Sequence, residues 1–126
     1  MPKQALPVRV LLVDDQPMFV EALRALLETD ERVDVVATAD NGIDAIDLAT
    51  TALPDVVLVD LTLPGLDGVE TTRRLVEDLP GMRVVVLSGR AEDAGAALEA
   101  GASRFLAKGG LHGEIADAIV AAHLAA

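Results

Sequence analysis

Cysteine, tryptophan and tyrosine are absent from the chain, and phenylalanine occurs only twice. Without cysteine there are no disulfides, no thiolate metal sites and no thiol catalysis. With so few aromatics, the core has to come from Val, Leu, Ile and Ala, which the 52% hydrophobic content supplies. Positive charge is also scarce: 10 Lys and Arg stand against 21 Asp and Glu, a formal net charge of −11. Such a surface repels a polyphosphate backbone, so the domain is not expected to bind nucleic acid by itself. No apolar run approaches the length of a membrane span, and the N-terminus lacks the regions of a signal peptide. The expectation is a soluble, cytoplasmic protein with no membrane partner, and 126 residues suit one domain with a real core.

What is present is a rhythm. Five short apolar runs recur: Val8 to Val13, Val33 to Thr38, Val56 to Val59, Val84 to Leu87 and, weakest, Arg104 to Ala107. The first, third and fourth are nearly continuous Val and Leu, as in strands buried on both faces of a parallel sheet. The more mixed second run fits a place nearer an edge. Helical segments lie between them. Pro17 suits a first helical position, with Phe19, Val20, Leu23, Leu26 and Leu27 following at helical spacing. Asp40 and Asn41 offer caps for a second helix, and Asp67-Gly68 precede a third that Pro80-Gly81 stops. A fourth runs from about Glu92 to Ala100 and closes at Gly101, and a fifth starts at Leu111. Five βα units with right-handed crossovers make a doubly wound α/β fold with helices on both faces of one parallel sheet. Residues 1 to 7 read as a disordered lead, and residues 8 to 126 as the domain.

Ligands of such sheets bind beyond the carboxyl ends of the strands. There the sequence places Asp14-Asp15 after the first run, Asp60 after the third, Ser88-Gly89 after the fourth and Lys108 after the fifth. Three carboxylates at close range repel one another unless a cation neutralises them. All-oxygen ligands without a nearby His or Cys favour Mg²⁺, or Mn²⁺ in its place. Asp15 and Asp60 are the expected direct ligands, Asp14 binds directly or through water, and the carbonyl of Thr62 could add a backbone oxygen. A site of this kind tolerates an incoming phosphoryl group, which makes Asp60 the candidate nucleophile. Lys108 would pair with one phosphoryl oxygen and Ser88 would donate its hydroxyl to another.

These residues resemble the response-regulator receiver domain of two-component signalling. The matching pieces are VLLVDDQPMF, VVLVDLTLPGLDGVE, VVVLSG and EAGASRFLAK, in the family's order from Val8 to Lys108. The resemblance implies a flavodoxin-like sheet of strand order 2-1-3-4-5. It implies phosphate transfer from a histidine kinase to Asp60, with Mg²⁺ at Asp14, Asp15 and Thr62, and later self-catalysed hydrolysis, so the chain is not a conventional enzyme. Ser88 and Phe105 would form the switch pair, biasing the fourth helix, fifth strand and fifth helix toward a second packing. Dimerisation on phosphorylation would follow. The wording LTLPGLDG and EAGASRFLAK is similar to the subgroup with a C-terminal helix-turn-helix (LuxR/NarL-like), so DNA would be contacted only through a further domain beyond Ala126.

Two departures from the family pattern bear on output. The segment from Ser88 to Lys108 is about two residues short and rich in Gly and Ala, so the fourth helix is expected to be short, thinly packed and mobile. Lys108 is followed by Gly109-Gly110 where many receivers carry a proline. Plainer roles are open to the same residues. Asp14 or Asp15 could cap the first helix, Gly65 and Gly68 could serve turn geometry, and Phe105 could be core filler. His112 and His123 read as surface residues. An aspartate-nucleophile phosphatase would carry a second Asp where Thr62 stands, and a flavin protein would have a phosphate loop where Asp14-Asp15 repel one. A receiver-like module that no longer accepts phosphate is disfavoured by Asp60, Ser88 and Lys108.

Overall fold

The computed structural model describes residues 6–61, 67–108 and 114–125. Its five strands are β1 (Val8–Val13), β2 (Val33–Ala39), β3 (Val56–Asp60), β4 (Arg83–Ser88) and β5 (Arg104–Ala107). All pair in parallel, in the order β2-β1-β3-β4-β5. The doubly wound flavodoxin-like fold is therefore present, and the mixed second run does lie at an edge. Thr62, Gly65, Gly109, Gly110, Leu111, His112 and the first five residues lie outside the described residues.

Period-2 alternation in the central strands divides the core in two. Leu11, Val13, Val57, Val59, Val84 and Val86 face one side, packed under α2 (Gly42–Ala52), α3 (Gly68–Asp78) and α4 (Ala94–Glu99). Val10, Leu12, Val56, Leu58, Val85 and Leu87 face the other, under α1 (Pro17–Glu28) and α5 (Glu114–Leu124). The helix ends follow local chemistry. Pro17 occupies the first turn of α1. Asn41 caps α2, its Oδ1 accepting from the Asp44 N–H at 2.8 Å, and Asp67 caps α3 by accepting from Glu70 N–H, also at 2.8 Å. Gly101 ends α4 with a φ of +111°, where a side chain would also meet Val76.

Several boundaries differ in detail from expectation, β2 too running one residue further, to Ala39. β3 and β4 each extend one residue further, so Asp60 and Ser88 are the last residues of their strands and not the first of their loops. The stretch after β4 begins as a 3₁₀ turn, Ala91–Asp93, and leaves α4 only six residues, with Ala97 its one buried side chain. The fourth helix is thus as short and thinly packed as its Gly/Ala composition implies.

Candidate phosphoryl-acceptor site

Strand register brings the acidic groups together. β1 and β3 pair up to Val13 and Val59. The next step along both strands sets Asp14 beside Asp60, with both side chains on the α1/α5 face of the alternation. The strands cross the protein's centre, so both carboxylates are buried, Asp14 at 3% exposure and Asp60 at 1%. Asp15, one residue on, is exposed. Oxygens of Asp14, Asp15 and Asp60 all lie within 4.8 Å of one another. An open cleft of about 640 Å³ between α1 and α2 borders Asp14 and Asp15 and gives the cluster access to solvent.

Asp14 does not cap α1. Its Oδ1 accepts from the Gln16 N–H two residues on, at 2.9 Å, while Gln16 stands at the cap without a side-chain bond. Asp14 Oδ2 is buried, and no hydrogen-bond donor among the described residues reaches it. Burial pushes the Asp14 carboxyl up from 3.8 to about 6; the neighbouring Asp60 adds to the rise, while the Gln16 N–H and Lys108 oppose it. A buried carboxylate oxygen lacking a donor, in a cluster of oxygens alone, is what a hard divalent cation fits. Asp14, Asp15 and Asp60 supply that donor set; Thr62, the expected fourth contributor, lies outside the described residues.

Lys108 reaches the cluster from the other side. Its Nζ donates to Asp60 Oδ2 at 2.9 Å, with the side chain 22% exposed. The same ammonium sits 4.8 Å from the centroid of the Phe19 ring on α1. That cation–π contact was not foreseen, because Phe19 stands at a helical spacing that reads only as core. Lys108, expected to pair with a phosphoryl oxygen, here pairs with the Asp60 carboxylate itself.

Ser88 is wholly buried, and β4–β5 register pairs it with Ala107, two residues from Phe105. Ser88 and Phe105 thus lie on the same sheet face, the one under α4, and the half-buried Phe105 packs into that core. The Ser88 hydroxyl does not turn to the carboxylate cluster. It donates to Asp93 Oδ2 at 2.6 Å and accepts from the Arg90 N–H at 3.0 Å. Asp93 carried no signal in the sequence, where it reads as one more solvated acid of a helix start.

Gly68 needs a correction. Its role is close approach and not turn geometry: a Cβ there would fall 2.4 Å from Leu61 Cα and 2.7 Å from the carbonyl oxygen of Asp60. The first turn of α3 is thus pressed against the backbone that carries the acceptor candidate. His123 is exposed, as expected.

Residues 10–120 match the response regulator receiver domain model. The chain belongs to the response regulator receiver family. It is 38% identical over 117 residues to the transcriptional regulatory protein LiaR of Bacillus subtilis, a match covering 91% of this chain and 56% of LiaR. The chain thus spans about half the length of the curated transcriptional regulators it matches. Among solved structures, it superimposes with a TM-score of 0.88 and 35% identity on a LuxR-family two-component response regulator from Aurantimonas sp. SI85-9A1, covering 93% of this chain and 85% of that one. The receiver domain of the response regulator NarL from Mycobacterium tuberculosis gives a TM-score of 0.88 at 33% identity, over 94% of this chain and 98% of that one. The resemblance to LuxR/NarL-like receivers is upheld, and phosphorylation and Mg²⁺ binding are typical of the family. Among the described residues no helix is long and apolar enough to cross a membrane.

Proposed function

We propose that Asp60 is the phosphoacceptor of this receiver, taking its phosphoryl group from a phosphohistidine of a partner kinase. An oxygen of Asp60 attacks phosphorus, the P–N bond to the imidazole breaks, and an aspartyl phosphate forms. The observation that carries this reading is the pairing of a buried Asp60 with Lys108 at 2.9 Å, at the carboxyl edge of the sheet. Asp14, Asp15 and Asp60, with the carbonyl of Thr62, would hold Mg²⁺ or Mn²⁺. The cation would supply charge neutralisation between carboxylates and phosphoryl oxygens. Lys108 holds its charge where the phosphoryl oxygens arrive, and Ser88 donates to them after it turns. Ser88 and Phe105, sharing one sheet face beneath the thinly anchored α4, act as the switch pair. The output is regulated dimerisation and, through a C-terminal DNA-binding domain, transcription; the chain itself only accepts phosphate and loses it by hydrolysis.

Incubation with acetyl phosphate and Mg²⁺ should add one phosphate, read by intact mass. Asp60→Asn should add none, and an Asn variant that still gains one phosphate would overturn the assignment.

A further inference from the structure

We propose that Asp93 is a positioning residue that holds the Ser88 hydroxyl away from the phosphoryl site, so that occupation of the site has to break the Ser88–Asp93 bond and loosen α4. The inference rests on the reading of Asp60 as acceptor and adds a residue to it. A serine hydroxyl has one proton to donate. That proton is committed to Asp93 Oδ2 at 2.6 Å, a length characteristic of a charge-assisted bond, while the Arg90 N–H fixes the oxygen from another side. A phosphoryl oxygen can only accept, so Ser88 cannot serve Asp93 and the phosphoryl group together. Ser88 has no exposed surface, so water is poorly placed to take over the role of its hydroxyl.

The consequence reaches α4 because of where Asp93 stands. It closes the 3₁₀ turn and immediately precedes Ala94, the first residue of α4. That helix buries only Ala97, so the part-buried hydrogen bond from Ser88 of β4 to Asp93 is one of the ties between its start and the sheet. Giving up the Ser88 proton leaves the Asp93 carboxylate without its buried donor, which favours movement of the turn that carries it. The start of the short Gly/Ala-rich segment is then tied to β4 in part by a bond that the signal itself competes for.

The test is the equilibrium binding of beryllofluoride, a phosphoryl mimic, to the whole chain with Mg²⁺, followed by amide NMR shifts. Freeing Ser88 by Asp93→Ala should lower the half-saturating concentration about tenfold, the scale of a charge-assisted hydrogen bond. Asp93→Asn, which keeps an acceptor of the same size without the charge, should give a smaller drop. In a Ser88→Ala background, adding Asp93→Ala should change nothing, which a merely structural role for Asp93 would not produce. Unaltered binding by Asp93→Ala, or an equal shift with and without Ser88, would overturn the role of Asp93 alone. A wild-type chain that neither gains phosphate from acetyl phosphate nor binds beryllofluoride would overturn the acceptor reading and this one with it.

Discussion

The two flanks of the acidic cluster are built in opposite ways. On the β1/β3 side, Asp14 and Asp60 end strands whose residues are almost all buried, and α3 lies so close that a single Cβ at Gly68 would strike the backbone of Asp60 and Leu61. On the β4/β5 side, α4 is six residues with one buried side chain, and β5 has no fully buried residue. Ser88 and Lys108 come from this second flank, the Ser88 hydroxyl held by Asp93 and the Arg90 N–H, and the Lys108 ammonium by Asp60 and the Phe19 ring. Under the proposed function the difference divides the labour: the rigid half would fix where chemistry occurs, and the lightly held half would change when it does. Local packing, more than the identity of the site residues, would then separate acceptor from responder.

That contrast can be broken first at its firmest point. Gly68→Ala should destabilise the fold by about 3 kcal/mol or more, because backbone must move to admit the methyl group. Chemical denaturation measures it, and a loss below about 1 kcal/mol would show that the β3–α3 junction yields easily. Next comes charge. Because the Asp14 pKa is raised in the fold from 3.8 to about 6, the protonated carboxyl favours the metal-free fold below about pH 4, and that contribution is lost as pH rises through about 6. The loss is on the order of 2–3 kcal/mol. In metal-free buffer Asp14→Asn should therefore be the more stable protein at pH 7.5, with the two stability curves converging toward pH 4. An Asn variant less stable than wild type at pH 7.5 would refute the cost assigned to that buried carboxylate. The smallest effect sharpens the other flank. Amides of α4 should exchange with solvent at least about tenfold faster than those in the middle of α1. Equal protection would mean that the short helix is anchored by something other than its side-chain packing.

The fold was legible in the sequence because its physics is repetitive. Runs such as VRVLLV and VVLV admit few arrangements besides a buried parallel sheet, and Pro17, Asn41, Asp67 and Gly101 mark helix ends by mechanisms that need no tertiary contact. The acidic cluster was legible for a related reason, since strand ends converge wherever such a sheet forms. Other features depend on rotamers and close approaches that sequence spacing does not encode. Phe19 reads as an ordinary core residue of α1 until the ammonium of Lys108 is seen over its ring. Gly68 reads as a turn residue until its distance from the Asp60 carbonyl is known. Ser88 is expected to move toward a phosphoryl group once one is present, but nothing in the sequence marks its partner without one, Asp93, five residues on, which composition reads only as solvated.

The most direct measurement is to locate the phosphate itself. After reaction with acetyl phosphate and Mg²⁺, the acyl phosphate can be trapped by borohydride, which reduces the modified aspartate to homoserine, and the peptides mapped by mass spectrometry. The account predicts the modification at Asp60 and at neither Asp14 nor Asp15, although all three carboxylates share one cluster. Modification of Asp14 or Asp15, or trapping that proceeds equally in the Asp60→Asn protein, would contradict it.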